Sequence, residues 1–367
     1  MSTKVDNHKM IEYIRETEKY ALQILNKREE LCDDFVKMFT RKKHDHVILV
    51  ASGTSYNTCL TSKHFFEKVL KMPVMIYTAY DFAFFKTVYG ENDFVITVTQ
   101  EGESTNTIDA IHAANKHCMD NVVVTEDVDN TCTQLAKGKV TIDCDREYFG
   151  PKTKGYTCTV LTLYMMAIEA GRATNSISED EYNRYVEVCE KTIKNIPSVT
   201  DEAEAYIKKN LQELIECDHA FVVGYGPHVG TALEGALKCL ETVRDFYFSF
   251  ETEEFLHGPL ASVKPNVFTF IIAANTHGYQ RSIDLYDSIY SQNNHAYLIG
   301  SYQGENTNHV IASDFIDDED MAVFEYIIPL QLLAYYTFSG KGRDLNYRNY
   351  PRTSTKIPTK AKALERK

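Results

Sequence analysis

The stretch from Thr231 to Val263, TALEGALKCLETVRDFYFSFETEEFLHGPLASV, decides how the rest of the chain is read. Ala232, Leu233, Ala236, Leu237 and Leu240 recur at helical spacing and predict an amphipathic helix with one buried apolar face. Glu234, Lys238 and Glu241 fall at i, i+4 and i+7, which stacks two carboxylates and an ammonium along one stripe. Beyond the helix, Glu251, Glu253, Glu254 and His257 gather before a turn at Gly258 and Pro259. A carboxylate base and an imidazole are therefore expected to be available together. The competing reading is a solvated helix face with weak ion pairs, followed by an ordinary turn histidine.

Upstream, the apolar β-branched run in HVILVASGTSYNT (46–58) meets Ser52, Gly53, Thr54 and Ser55 just before a helical pattern. Parallel α/β units present ligand sites in this way, with hydroxyls and backbone N–H groups at a helix N-terminus. The alternative is a plain capped turn. A second such unit follows, where Phe94–Val98 leads into TQEGESTNT (99–107). There Thr99, Gln100, Ser104 and Thr107 offer hydroxyls and an amide, and Gly102 lets the backbone approach a ligand closely. Glu101 in the same loop would repel a phosphate unless it points away, meets a cation, or faces a different ligand. Lys152 and Lys154 flank Thr153 in REYFGPKTKGYTCT (146–159), and Lys152 is the cation expected to offset Glu101. Residues 171–200 read as a helical linker, a further helix is expected over 202–216, and AFVVGYGPHVG (220–230) sets Gly226 in the place Gly53 holds earlier. The chain thus reads as two diverged copies of one α/β unit. Gly224, Gly226 and Gly230 do not keep dinucleotide-fingerprint spacing, so no cofactor is expected.

The composition, 44% hydrophobic and 25% charged over 367 residues, suits a soluble globular protein with room for two cores. A net charge of −13 with no basic stripe argues against a nucleic-acid partner but not against a small phosphorylated one. Without an 18-residue apolar run or a signal pattern, a cytoplasmic protein with no membrane partner is expected. Nine scattered cysteines with no C-x-x-C pair read as reduced thiols, and no metal site is expected.

ALEGALK (232–238), then Glu241, then E-x-x-HGPLA (254–261) resembles the isomerase half of glucosamine-6-phosphate synthase and its tandem sugar-isomerase (SIS) relatives. TQEGEST resembles the SIS phosphate loop S-x-S-G-x-T, with Glu101 departing from its usual small hydroxyl residue, and Glu147, Thr153 and Lys154 match the family's Glu and Ser/Thr-Lys pair. EYIIPLQLLAYYTF (325–338) is similar to a helix that precedes the family's tail. The resemblance implies two tandem three-layer α/β/α, flavodoxin-like domains at 41–195 and 196–340, with a C-terminal tail (341–367); outside it, Ile11, Ile14, Ala21, Leu22, Leu25, Leu31 and Phe35 fall mostly at separations built from threes and fours and predict one helix in an N-terminal arm (1–40). The resemblance also implies one sugar-phosphate site per chain, with Glu241 as the base between C1 and C2, His257 as acid/base, and Lys238 and Glu234 as orienting groups. A tail lysine, Lys356 first and Lys360 next, completes the set. The family also implies a homodimer or higher homo-oligomer in which His257 serves the neighbouring subunit. Ser2 stands where a glutaminase nucleophile would be, so glutamine hydrolysis is not expected. Three functions compete: an isomerase or deaminase linking glucosamine 6-phosphate and fructose 6-phosphate, a deglycase for 6-phosphorylated fructosamine conjugates, and a non-catalytic sugar-phosphate sensor.

Overall fold

The computed structural model describes residues 9–148, 150–347 and 359–361. These gather into two units. The first comprises Tyr20–Arg146, Gly155–Val186 and 359–361; the second comprises residues up to Lys19, Glu147–Lys154 and Glu187–Tyr347. The arm, expected as one helix, is three: α1 (Lys9–Arg15), α2 (Thr17–Asn26) and α3 (Arg28–Phe39).

The first unit is built on five parallel strands, β1 (His46–Ala51), β2 (Val74–Thr78), β3 (Asp93–Val98), β4 (Asp120–Thr125) and β5 (Gly138–Thr141), in the order β2-β1-β3-β4-β5. Residues 47–51 and all of β3 are buried, because a parallel sheet covered on both faces excludes water from every side chain. Helices α4 (Thr54–Leu70), α5 (Ala79–Phe84), α6 (Thr105–Lys116), α7 (Thr131–Leu135) and α8 (Lys154–Ala173) make the crossovers and the exit from the sheet. Ile48, Val50, Phe82, Val95, Ala110 and Ala114 form one side of the core.

The helical linker expected over 171–200 contains the boundary between the two units, Val186/Glu187, but it is not separated from the helix expected over 202–216. Helix α9 (Glu179–Lys209) runs through the segment and past Thr200, with the short α10 (Leu211–Leu214) after it. Tyr182, Tyr185, Cys189, Ile193, Ile196, Val199, Ala203 and Ile207 are buried at spacings of three and four, so one apolar stripe continues across the presumed break. Pro197 sits inside the helix on its exposed side.

The second unit repeats the topology of the first. Strands β6 (His219–Gly224), β7 (Phe246–Glu251), β8 (Phe268–Ile272), β9 (Ala296–Ile299) and β10 (Val310–Ala312) are parallel in the order β10-β9-β8-β6-β7, which is the order of the first sheet read from the other end. Helices α11 (His228–Thr242), α12 (Thr252–Leu256), α13 (Tyr279–Tyr290) and α14 (Val323–Gly340) accompany it. Gly53 and Gly226 hold the same place after the first strand of each sheet, with φ of 60° and 53°, a conformation that favours glycine. The fold is α/β, two tandem units of one doubly wound design.

Candidate functional site

The sequence-predicted residues divide between the two units. In the first, β1 and β3 are neighbours whose connections leave in opposite directions, which opens a crevice at their C-terminal ends. Ser52, Gly53, Thr54 and Ser55 lie in the turn into α4, and Ser104 to Thr107 lie at the start of α6. The two loops are joined by Asn106, whose Nδ2 donates to Ser52 Oγ at 2.7 Å. Both helix N-termini therefore bring their dipoles and unpaired N–H groups to one crevice, an arrangement suited to an anion. Ser104 does not cap α6 with its side chain. Thr99, Gln100 and Thr107 are buried. Gly102 has a φ of 66°, and a Cβ there would stand 1.9 Å from Asn130 Cγ, so close packing as well as conformation demands glycine.

Glu101, the departure from the family pattern, meets two cations in its own unit: Arg146 at 3.6 Å and Lys360 at 3.2 Å. The compensating charge expected from Lys152 is thus present in these two residues. Lys360 also pairs with Ser104 through an isolated antiparallel bridge, Thr105 N donates to Thr359 O, and Ala361 N donates to Glu103 O at 2.8 Å. Residues 359–361 lie as an extended strap on the loop, and Glu103 in turn holds Thr131 through its carboxylate. Lys356 lies outside the described residues.

In the second unit, the Glu147 carboxylate accepts from Thr153 N, from Thr153 Oγ1 at 2.8 Å and from Lys154 N. Lys152 Nζ donates to Glu147 O, and Gln331 of α14 donates to Thr153 O, which fixes the segment. Lys154 is buried, pairs with Glu16 at 2.9 Å and faces the Tyr13 ring.

Helix α11 reverses the expected polarity. Glu234 and Lys238 are both 0% exposed, while Leu240 is 42% exposed and Leu233 and Leu237 are only half-buried. Small residues make this possible: Gly235 lies against α14, where a Cβ would stand 2.5 Å from Leu330, so the two helices meet closely around the charged stripe. Lys238 Nζ lies 3.3 Å from Glu234 and 2.5 Å from Glu241, whose side chain is 39% exposed. Burial opposes the Lys238 charge, but the two carboxylates outweigh it and hold its pKa above the ordinary value. The stripe is therefore an ion triad with one end open to solvent. Buried charge of this kind adds little net stability, which turns attention to its chemistry.

Within one chain Glu241 and His257 do not stand side by side, which agrees with the expectation that His257 serves a neighbouring subunit. Helix α11 starts at the C-terminal edge of the sheet and runs back along it, leaving Glu241 near the N-terminal edge. Strand β7 then crosses the sheet again before α12 and His257. Six residues of strand span about 20 Å, so the two groups lie at opposite edges. His257 is exposed and its ring makes no hydrogen bond among the described residues. Glu253 is committed: Arg281 and the Tyr225 hydroxyl hold its pKa down to about 2. The sequence reading missed Asn106, Arg146 and Gln331, although all three lie inside motifs it singled out.

The family comparison falls on the first unit, where residues 39–170 match the SIS domain. Residues 39–170 are a SIS domain. The glutamine–fructose-6-phosphate aminotransferase (isomerizing) of Thermococcus kodakarensis is 28% identical over 310 residues, covering 82% of this chain and 50% of that protein. The chain spans about half the length of the curated relatives it matches. Among solved structures, a candidate phosphosugar isomerase from Clostridium difficile superposes with a TM-score of 0.87, at 24% identity, over 96% of this chain and 98% of that one. The C-terminal domain of glucosamine-fructose-6-phosphate aminotransferase from Francisella tularensis gives 0.80, at 21% identity, over 91% and 96%. These likenesses show that the chain shares the fold of those structures. Among the described residues, no helix is long and apolar enough to cross a membrane.

Proposed function

We propose that the chain is a sugar-phosphate isomerase of the deaminating kind, converting glucosamine 6-phosphate and water to fructose 6-phosphate and ammonia. The observation that carries this reading is the triad in α11, in which Lys238 bridges a wholly buried Glu234 and a solvent-open Glu241. A carbon acid beside a carbonyl needs a positioned base, and Glu241 is a carboxylate held in one place by a buried ammonium. In the first unit, the hydroxyls of Ser52, Thr54, Ser55, Ser104 and Thr107 and two helix N-termini suit the phosphate.

With the open-chain aldehyde bound, Glu241 takes the proton from C2 and returns it to C1. The C–N bond gains imine character, the oxygen at C1 becomes the hydroxyl, and water then releases ammonia and the C2 ketone. Lys238, fixed by Glu234, orients Glu241 and stabilises charge on the enolamine. His257 is the acid/base for ring opening and for protonating the leaving nitrogen. Its place at the opposite edge of the sheet from Glu241 supports its delivery by a second copy of the chain, hence a homodimer at least.

The test is a coupled assay of the purified protein with glucosamine 6-phosphate, following ammonia and fructose 6-phosphate in equal amounts. Glu241→Gln should reduce kcat by about 100-fold or more, the usual contribution of a positioned base. Unchanged turnover in that variant would remove Glu241 from the chemistry, and the absence of either product from the wild-type protein would overturn the deaminating reading.

A further inference from the structure

Asn106 stands at the second position of α6, and its Nδ2 donates at 2.7 Å to Ser52 Oγ, the hydroxyl in the turn between β1 and α4. As a tether this bond is redundant. Strands β1 and β3 already pair in register from His46↔Asp93 to Val50↔Thr97, so the sheet itself holds the two loops beside each other. The consequence for the hydroxyl is more specific. A serine oxygen offers one hydrogen and two lone pairs, and Ser52 Oγ has no other hydrogen-bond partner among the described residues. With the Asn106 N–H on one lone pair, the Ser52 hydrogen cannot point at α6 and is left for the crevice.

The surroundings match that polarity. Gly53, next in the chain, has a φ of 60°, and a Cβ there would meet nothing within 4 Å, so the turn borders open space. The N-cap positions of α4 and α6 are Gly53 and Ser104, and neither supplies a side-chain cap to its helix. An anion in the crevice therefore meets the positive ends of two helices and, with the Ser52 hydrogen turned outward, a hydroxyl donor as well. Without Asn106 the same hydroxyl is free to present a lone pair, which an anion repels. A hydroxyl that accepts a hydrogen bond is also polarised into a better donor.

We infer that Asn106 is a positioning residue for phosphate recognition, fixing the Ser52 hydroxyl as a donor to a phosphate oxygen without touching the ligand itself. The inference rests on the sugar-phosphate reading of this crevice, and it adds a selection to that reading. The terminal oxygens of a phosphate dianion only accept hydrogen bonds, whereas those of a monoanion include one that carries a hydrogen. A hydroxyl locked as a donor thus favours the dianion, which prevails above a second pKa of about 6.

The test is calorimetric titration with fructose 6-phosphate at neutral pH, using full-length wild type, Ser52→Ala, Asn106→Asp and the double variant. Asn106→Asp is nearly isosteric, and a carboxylate suits the first turn of a helix, so fold and tether are kept. The tether then runs the other way: Ser52 donates to the new carboxylate, and only lone pairs are left for the phosphate. Ser52→Ala should weaken binding by roughly tenfold or more, the contribution of a hydrogen bond to a charged group. Asn106→Asp also adds a negative charge, and its effect in the Ser52→Ala background measures that charge alone. The loss caused by Asn106→Asp should therefore be at least about fivefold larger with Ser52 present than with it absent. A loss no larger with Ser52 than without it would overturn the positioning role, as would wild-type affinity in Ser52→Ala, and either result leaves the sugar-phosphate reading intact. Failure of the wild type to bind fructose 6-phosphate would overturn both.

Discussion

Replacing Lys238 by Met tests the physical heart of α11. The variant keeps length and most of the volume but leaves Glu234, 0% exposed, without its ammonium at 3.3 Å. Two unit charges at that distance interact by about 5 kcal/mol at an effective dielectric constant near 20. Loss of one partner from a buried pair costs roughly 3–5 kcal/mol because the survivor is left uncompensated. The second contact, to Glu241, adds less, since that side chain is 39% exposed and water can replace the ammonium. Lys238→Met should therefore lower unfolding free energy by about 3–5 kcal/mol in urea titrations followed by circular dichroism at pH 7, a large share of a typical domain's stability. The double variant Glu234→Gln/Lys238→Met removes both charges and should be more stable than Lys238→Met alone, giving a coupling of at least about 2 kcal/mol in the cycle. A single-variant loss below about 1 kcal/mol, or strict additivity in the cycle, would refute the account of a buried, mutually compensating triad.

Gly102→Ala should cost roughly 1–3 kcal/mol from its left-handed backbone alone, with more from the clash with Asn130, and thermal melts should show both lowered stability and weakened sugar-phosphate binding. Lys360→Ala should leave the melting temperature unchanged, because its pair with Glu101 is solvent-exposed, but should weaken phosphate-ligand binding several-fold at low salt and less at high salt. Burial raises the Glu325 carboxyl from 4.5 to about 7 against the opposing pull of its Asn195 and Ile316 hydrogen bonds. The folded state thus favours its protonated form. Its contribution to stability is complete below about pH 4.5, declines as the pH rises to about 7 and amounts to roughly 3 kcal/mol. Melting temperatures measured from pH 5 to pH 8 should fall more steeply for the wild type than for Glu325→Gln, and equal slopes would count against it.

The fold was largely legible because its signals are local and repeated. The apolar run VILVA at 47–51 and the largely apolar FTFII at 268–272 lack the polar alternation of a half-exposed strand and suit strands covered on both faces, and the glycines after β1 and β6 mark the same turn twice. Helix ends were less legible. The segment 171–200 was read as a helical linker that stops before a second helix at 202, yet its apolar residues keep one phase from Tyr182 to Ile207, so α9 continues without a break. The N-terminal arm failed in the opposite sense, since a run of threes and fours concealed breaks at Glu16 and Lys27.

For the site, spacing identified the residues and misjudged their surroundings. In α11 the leucines were assigned to the core, and a solvated charged face was the competing reading of Glu234, Lys238 and Glu241, because hydrophobicity alone ranks them that way. The structure does the reverse, and the reason lies with Gly235: a glycine facing Leu330 admits the charged face, not the leucine face, to the close helix contact. No periodicity argument contains that information, since it depends on what α14 brings opposite. The Glu101 problem has the same form. Read along the chain, a carboxylate in a phosphate loop is an error in the motif; read in space, it has Arg146 and Lys360 against it, from 45 and 259 residues further on. A charge that looks misplaced in sequence is informative because its compensation must be supplied elsewhere, and at Glu101 it comes from two cations that the loop motif does not contain.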